Sequence, residues 1–319
     1  MHRVARRTTT GAEIAPLSEE HLAAAAALLA GRHAHHRAQE PLLADVDAAA
    51  AVRDALGRQG AAGLVAVRDG AVAGFMIGRP ATSDVWPPHA FVDPAGHAGE
   101  DAEITRDLYA ALSERWSQAG IAMHLARVPM TSRDLDPWYR LGFAQMQVDA
   151  IREPGGDGAP VPEGVIIRRG SLDDLDAIVD TQATLIWEHQ RKAPVFTGIT
   201  VPDRRSLREA WSEWEPDDVL FVAERDGRMV GHSLLYPAPP ELGVPERSLR
   251  LASSAVVPAE RGSGLGVALT EQGFAWAADA GYAAVTTDWR VTNLMASRFW
   301  PARGFRPTFV RMMRVIGTG

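Results

Sequence analysis

Residues Val256-Val257-Pro258-Ala259-Glu260-Arg261-Gly262-Ser263-Gly264-Leu265-Gly266 join the end of a strand to the start of an apolar, Ala-rich run that reaches Ala280. Arg250 to Val257 reads as that strand, because Leu251, Ser253, Ala255 and Val257 alternate with their neighbours. Pro258 stops it. The glycines beyond let successive backbone N–H groups turn toward one point, and a helix beginning near Gly264 adds its own unpaired N–H groups and positive dipole end. Such a nest binds a diphosphate, with Arg261 as a charge-assisted contact. The other reading of an isolated R-G-x-G-x-G is a tight strand-to-helix connection. Neither common nucleotide motif is present: no G-K-[ST] follows, and no G-x-G-x-x-G directly succeeds a strand.

A second element comes downstream. After a short strand at Ala283 to Thr287 stand Asp288-Trp289-Arg290, then Asn293-Leu294-Met295-Ala296-Ser297-Arg298-Phe299-Trp300, then Gly304-Phe305. In this order and spacing the chain resembles the GNAT acyltransferase superfamily. Arg261, Gly264 and Gly266 match its V-x-P-x-x-R-G-x-G-x-G loop, and Asn293, Ala296, Gly304 and Phe305 match its N-x-x-A-x-x-x-Y-x-x-x-G-F segment. The resemblance implies acetyl-coenzyme A as cofactor, with Arg261, Gly262, Ser263, Gly264, Leu265 and Gly266 at the pyrophosphate. Ala255, Val256, Val257, Asn293, Ser297 and Trp300 would then line the pantetheine arm and thioester. It implies transfer of the acetyl group to the primary amine of a small polar molecule. A non-enzymatic acyl-coenzyme A sensor or scaffold is the alternative, and in layout the chain also resembles mycothiol synthases.

For that chemistry the amine must arrive unprotonated, the developing oxyanion needs a donor and the thiolate must leave. The resemblance implies a backbone N–H between Ser254 and Val257 as the donor. Candidate bases are Asp288, Glu188, His189 and Glu241. Asp288 leads because it closes the strand beside the cofactor arm; its other reading is a cap on the turn before Asn293. His189 has the side chain that ordinarily titrates nearest neutrality. Asp288 and Glu188 would attract a cationic amine, and Asn293 would hydrogen-bond the cofactor arm or a water. Trp300 stands where the family has tyrosine. Its indole N–H donates a hydrogen bond but delivers no proton, and its simpler reading is core packing or a wall against pantetheine. Phe305 reads as packing.

Elements that position these residues follow from pattern. At 319 residues the chain suggests two domains, 1–150 and 164–319, joined by a Gly- and Pro-rich linker at 151–163. Val65-Ala66-Val67-Arg68-Asp69-Gly70 returns 157 residues later as Val222-Ala223-Glu224-Arg225-Asp226-Gly227, a hairpin with Asp-Gly at its turn, and Trp138 to Phe143 corresponds to Trp300 to Phe305. The expected fold is therefore mixed α/β: tandem GNAT folds, each a twisted, mainly antiparallel sheet flanked by helices. With Pro94 set against Pro258, His97 replaces Arg261 and Glu100 replaces Gly264, so that Glu100 and Asp101 would repel a pyrophosphate. The first domain is expected to lack a cofactor site. Helices are expected at Glu19 to His33, Asp45 to Gly57 and Ser206 to Trp214, and after a Ser171–Asp174 capping box. Pro237 to Pro245 forms a long turn, a pocket rim or a plain surface loop.

Composition narrows the class. With 33 Lys and Arg against 40 Asp and Glu, a net charge of −7 gives no general reason to bind nucleic acid or an anionic membrane. The absence of cysteine excludes disulfides, thiolate nucleophiles and cysteine-ligated metals. His33, His35 and His36 offer no metal-ligand spacing, so no metal is expected and these histidines read as exposed or cap-forming, with His35 or His36 facing a substrate cleft as the alternative. With no signal or membrane segment visible, a cytoplasmic monomer or homodimer is expected.

Overall fold

The structure is a computed structural model that describes residues 6–8, 10–83, 86–156, 158–196 and 201–317. Strands flanked by helices form two compact units. One holds the described residues of 1–148 with 241–243 and 307–317; the other holds those of 149–240 and 244–306. In this division residues 307–317 fall with the first unit, where the sequence suggests one stretch from 164 to 319. The last strand hydrogen-bonds within the first unit, because its alternating apolar residues find their partners there.

In the first unit the order is β1 (Arg6–Arg7), β2 (Glu13–Pro16), α1 (Leu22–Gln39), α2 (Ala48–Gly57), β3 (Ala62–Arg68), β4 (Ala71–Ala81), β5 (His89–Val92), β6 (His97–Gly99), α3 (Ala102–Gln118), β7 (Met123–Pro129) and α4 (Ser132–Arg140). Strands β1 to β4 pair antiparallel in sequence, β4 pairs with both β5 and β6, and β5 runs parallel to β7. Strand β8 (Ala144–Arg152) follows. Helix α1 runs six residues past the expected His33. Leu22, Ala25, Ala26, Leu29, Arg32, His33 and His36 are its buried residues, a helical spacing that places two histidines in the core.

The second unit carries β9 (Val165–Arg169), α5 (Leu175–Ala177), a π turn at Ile178–Ala183, α6 (Thr184–Arg191), α7 (Arg204–Ser212), β10 (Val219–Arg225), β11 (Arg228–Pro237), β12 (Ser248–Val256), α8 (Leu265–Asp279), β13 (Ala284–Arg290) and α9 (Leu294–Ala302). Strands β9 to β12 are antiparallel, and β12 runs parallel to β13. The Ser171–Asp174 capping box forms, but the helix after it widens into the π turn. Ile178 packs on Leu220 and Val222 with Trp211 alongside, which fixes the helical layer on one sheet face. On the other face α8 lies close. A Cβ built on Gly231 would sit 2.8 Å from Leu269 Cδ1. The linker packs against this unit: Arg152 stacks over Phe274 at 4.0 Å and the Gly155 N–H donates to Phe274 O.

Both hairpins share one geometry. β3 pairs with β4, and β10 with β11, with a register shift at Ala66/Val67 in one and at Ala223/Glu224 in the other, the same offset of 157 residues. Asp69, Gly70, Asp226 and Gly227 all have positive φ, as a two-residue hairpin turn of this twist demands.

The final strand, β14 (Arg306–Val315), pairs antiparallel with β7 from Phe309↔Pro129 to Val315↔Met123. Phe309 is 2% exposed and lies edge-on to His36. Phe309→Ala should therefore cost about 3–5 kcal/mol, and hydrogen exchange should show lost protection across residues 123–129.

Five buried histidines, His33, His36, His89, His97 and His124, belong to this unit, so the expectation of exposed or capping histidines fails for His33 and His36. Burial pushes His33, His36, His97 and His124 below the ordinary imidazole range, and His36 falls to about 4, with the nearby Arg32 charge as the next cause. The unfolded chain then binds more protons than the folded one between about pH 4 and 6.5, so stability rises with pH there. It is fully present above 6.5 and is lost as pH falls toward 4. Thermal unfolding followed from pH 7 to pH 5 should show the melting temperature falling, and His36→Gln should shrink that fall.

Candidate functional site

Between β12 and α8 the chain makes a short turn at Pro258–Glu260 and then passes through Arg261, Gly262, Ser263 and Gly264. Gly262 and Gly264 hold φ of +81° and +91°, and a Cβ at either would meet nothing within 4 Å. Their need for glycine is conformational, and the space before them is open. Ser263 Oγ donates to Glu260 O at 2.7 Å, which tightens the loop. Ala268 N–H is bonded back to Gly264 O at 3.0 Å and Leu265 N–H donates to Ser263 Oγ at 3.3 Å, so the N–H groups of Gly266 and Val267 precede the helical ladder and point outward from the helix start. Arg261 is exposed beside them. Gly266 differs: it sits inside the helix, 3.8 Å from the Phe299 ring if given a Cβ.

Strands β12 and β13 pair only from Ser248↔Ala284 to Arg250↔Thr286. Beyond that β12 keeps β11 on one side, and the two parallel strands part. Val257 N–H donates to Val230 O. By antiparallel alternation the N–H groups of Ser254 and Val256 then face away from β11, into the parting. Ser253, Ser254, Ala255, Val256 and Val257 are all half-buried there.

The candidate catalytic groups separate clearly. His189 on α6 and Asn293, the cap of α9, come together at 3.1 Å although 104 residues apart. Asn293 Oδ1 also accepts the Ala296 N–H. That fixes it as an acceptor, so His189 Nε2 carries the hydrogen and Nδ1 keeps the lone pair. Thr292 Oγ1 donates to Val195 O at 3.0 Å and ties the same two segments together. Asp288 lies within β13 rather than capping the following turn, and it is ion-paired with Arg250. Glu188 is exposed and paired with Lys192 one helical turn on. Glu241 pairs with Arg127 in the first unit. The attraction of a cationic amine expected from Asp288 and Glu188 is thus offset by their partners. Asn293 spends its oxygen on internal bonds, leaving its amide nitrogen as the donor for a ligand. Ser297 is half-buried on α9, with its N–H bonded to Asn293 O. Trp300 is 8% exposed and packs edge-on against Phe299 and Phe305.

In the first unit the register overturns the alignment of Pro94 with Pro258. Gly99 faces Gly74 just as Val256 faces Gly231, and His97 faces Met76 as Ser254 faces Ser233. His97 therefore stands for Ser254, not Arg261. Only Glu100 and Asp101 separate β6 from α3, where eight residues, 257–264, separate β12 from α8. Asp101 caps α3 through the Ile104 N–H at 2.9 Å, and Arg68 bonds both carboxylates. Past the β5–β7 pairing, the buried Arg32 bonds the carbonyls of His97 and Pro94, and His97 Nε2 reaches Arg127 O at 3.3 Å. The cavity that remains, about 40 Å³ lined by Arg32, His97, Thr105, Asp134 and Trp138, has room for a few waters.

Residues 184–305 match the model of the acetyltransferase (GNAT) family. A GCN5-related N-acetyltransferase from Sphaerobacter thermophilus is similar in structure, with a TM-score of 0.61 and 16% identity over 96% of each chain. A GNAT-family acetyltransferase from Colwellia psychrerythraea has a TM-score of 0.53 and 12% identity over 95% of this chain and 99% of its own. No curated protein matches the sequence. The fold is that of GNAT acetyltransferases, and with the family match it supports enzymatic acyl transfer. No helix among the described residues is long and apolar enough to cross a membrane.

The two glycines predict opposite outcomes. Gly264→Val strains the positive φ and fills the open space before the nest, so coenzyme A affinity should fall at least about 100-fold. Gly266→Ala meets only ordinary contacts and should stay within a few-fold. Calorimetric titration should give about one site per chain; a stoichiometry of two contradicts the expectation that the first domain lacks a cofactor site.

Proposed function

We propose that this chain is an acetyl-coenzyme A-dependent N-acetyltransferase with one cofactor site, in its second unit, acting on the primary amine of a small molecule. The observation that carries the reading is the alignment of the glycine nest with the parting of β12 and β13, which offers anion-binding N–H groups and a slot beside them. In this reading the Arg261 side chain and the N–H groups at Gly262, Gly264, Gly266 and Val267 hold the pyrophosphate. Ala255 to Val257, the Asn293 amide nitrogen and Ser297 hold the arm. When bound, the cofactor supplies an activated acyl carbonyl.

The chain's own groups do the rest. The N–H groups of Ser254 and Val256 donate to the carbonyl oxygen as charge develops there. His189 Nδ1, its tautomer set by Asn293, takes the amine proton. Asp288 is a structural partner of Arg250 in this scheme. The matching hairpins support a tandem duplication whose first copy has lost the loop and filled its slot with Arg32 and His97. A cytoplasmic monomer or homodimer remains part of the proposal.

His189 and Asp288 are separated by one pair of measurements. His189→Ala should lower kcat about 10² to 10⁴-fold with coenzyme A affinity and melting nearly unchanged. Asp288→Asn leaves the Arg250 charge without its carboxylate, so it should lower the melting temperature while turnover stays within about fivefold of wild type, the reverse ranking. Turnover is read by thiol release with a panel of amines, including amino sugars, polyamines, amino acids and a cysteinyl pseudodisaccharide. Coenzyme A binding without amine-dependent release from any of them favours a sensor instead.

A further inference from the structure

One polar pair in the second unit's sheet has no place in the scheme above. His232 on β11 is fully buried, its ring edge-on to Trp211 at a centroid distance of 5.3 Å. Its Nε2 lies 2.8 Å from Ser253 Oγ on β12, and its Nδ1 is buried without a hydrogen-bond partner. His232 stands opposite Ala255, so Ser253, two residues along the same strand, shares its face. That face carries Trp211 and the helical layer, opposite to α8. Ser253 itself is half-buried. The imidazole lies behind the hydroxyl, and the hydroxyl stands at the open part of β12.

The orphaned nitrogen decides the tautomer. A buried N–H without an acceptor is rarer and costlier than a buried lone pair without a donor, so Nδ1 keeps the lone pair and Nε2–H donates to Ser253 Oγ. Burial pushes His232 down to about 3, which keeps the ring neutral and in this donating role across the neutral range. Ser253 Oγ then retains a lone pair and its own O–H for a ligand. Its neighbour Ser254 points its N–H into the parting of the strands, so the hydroxyl and the carbonyl-binding N–H are adjacent along one strand.

We infer that Ser253 contacts the attacking amine and that His232 is its positioning residue. The assignment rests on the acyl-transfer reading above. Ser253 Oγ accepts one N–H of the neutral amine and so turns the nitrogen lone pair toward the carbonyl carbon. The N–C bond forms as the C–S bond breaks, the electron pair of that bond leaves on sulfur, and the surplus amine proton passes to His189 Nδ1.

Steady-state rates with acetyl-coenzyme A and the best amine of the panel test this, alongside calorimetric coenzyme A binding and melting curves. Ser253→Ala should lower kcat/KM for the amine about 10- to 100-fold, with coenzyme A affinity unchanged. His232→Leu should lose a similar factor, and His232→Gln, which keeps a donor, should recover part of it. The double variant Ser253→Ala/His232→Leu should be no worse than the weaker single variant, because both remove one unit. A Ser253→Ala enzyme within twofold of wild type, losses that multiply, or coenzyme A affinity that falls in parallel overturns the assignment. If His232→Leu does not fold, Ser253→Ala and His232→Gln decide it. A wild type that binds coenzyme A yet releases no thiol with any amine overturns acyl transfer itself, and this role with it.

Discussion

Everything at the candidate site depends on two parallel strands that stop hydrogen-bonding partway. β12 and β13 are bonded as far as Arg250↔Thr286, and Thr287 Oγ1 makes a last tie to Leu251 O at 3.0 Å. Past this point β12 would carry unpaired backbone groups through a sheet interior, which is costly unless water or a ligand reaches them. The parting therefore creates the slot and the donors for it together. Arg250 and Asp288 form an ion pair at its closed end. The π turn and α7 hold one face of this sheet while α8 holds the other, so the slot opens between layers that are each fixed by apolar packing.

The first unit has a matching hairpin but a different surround. Its hairpin register matches that of the second unit, yet β6 meets α3 after two residues and the buried Arg32 satisfies carbonyls beside the parting. Burial withdraws the Arg32 guanidinium from water and lowers its pKa to about 10. A cation held there by backbone carbonyls, with Asp134 near enough to favour its charge, leaves little volume for an acyl chain. In the proposed reading, matching hairpins then stand beside a ligand slot in one unit and a filled core in the other, and the difference falls to a few side chains and the length of one loop.

Local spacing made the cofactor loop legible, because a strand, a proline and alternate glycines act over a dozen residues. Both hairpins were legible for the same reason. Pairings between distant segments were not: His189 finds Asn293 across 104 residues, and Asp288 finds Arg250 across 38. No periodicity encodes such contacts, and a carboxylate read alone looks equally like a base, a cap or an ion-pair partner. The Pro94 alignment failed for a physical reason. The segment between β5 and β6 inserts residues into the equivalent of β12, so the proline marks a bend within the strand and not its end. The position of β14 was hidden too, since an alternating strand shows that one face is buried without showing against which sheet.

Trp300 carries the same distinction between packing and chemistry one step further. It occupies a position where the resembled family has tyrosine, yet in this chain Phe299 and Phe305 contact its ring edge-on and Phe305 in turn contacts Phe274. The ring belongs to an aromatic chain that holds α9 against α8. Its neighbour Phe299 lies over the first turn of α8 at Gly266, so the packing of α9 also sets one wall of the nest. Acyl transfer tolerates the loss of a proton donor here, because a thiol that titrates near about 8.5 leaves readily as thiolate. What the reaction does not tolerate is a protonated amine or an unstabilised oxyanion. The groups proposed for those needs, His189 with Asn293 and the N–H groups of β12, are positioned by hydrogen bonds and strand geometry, and Trp300 bears on them only through the packing of α9, which Asn293 caps.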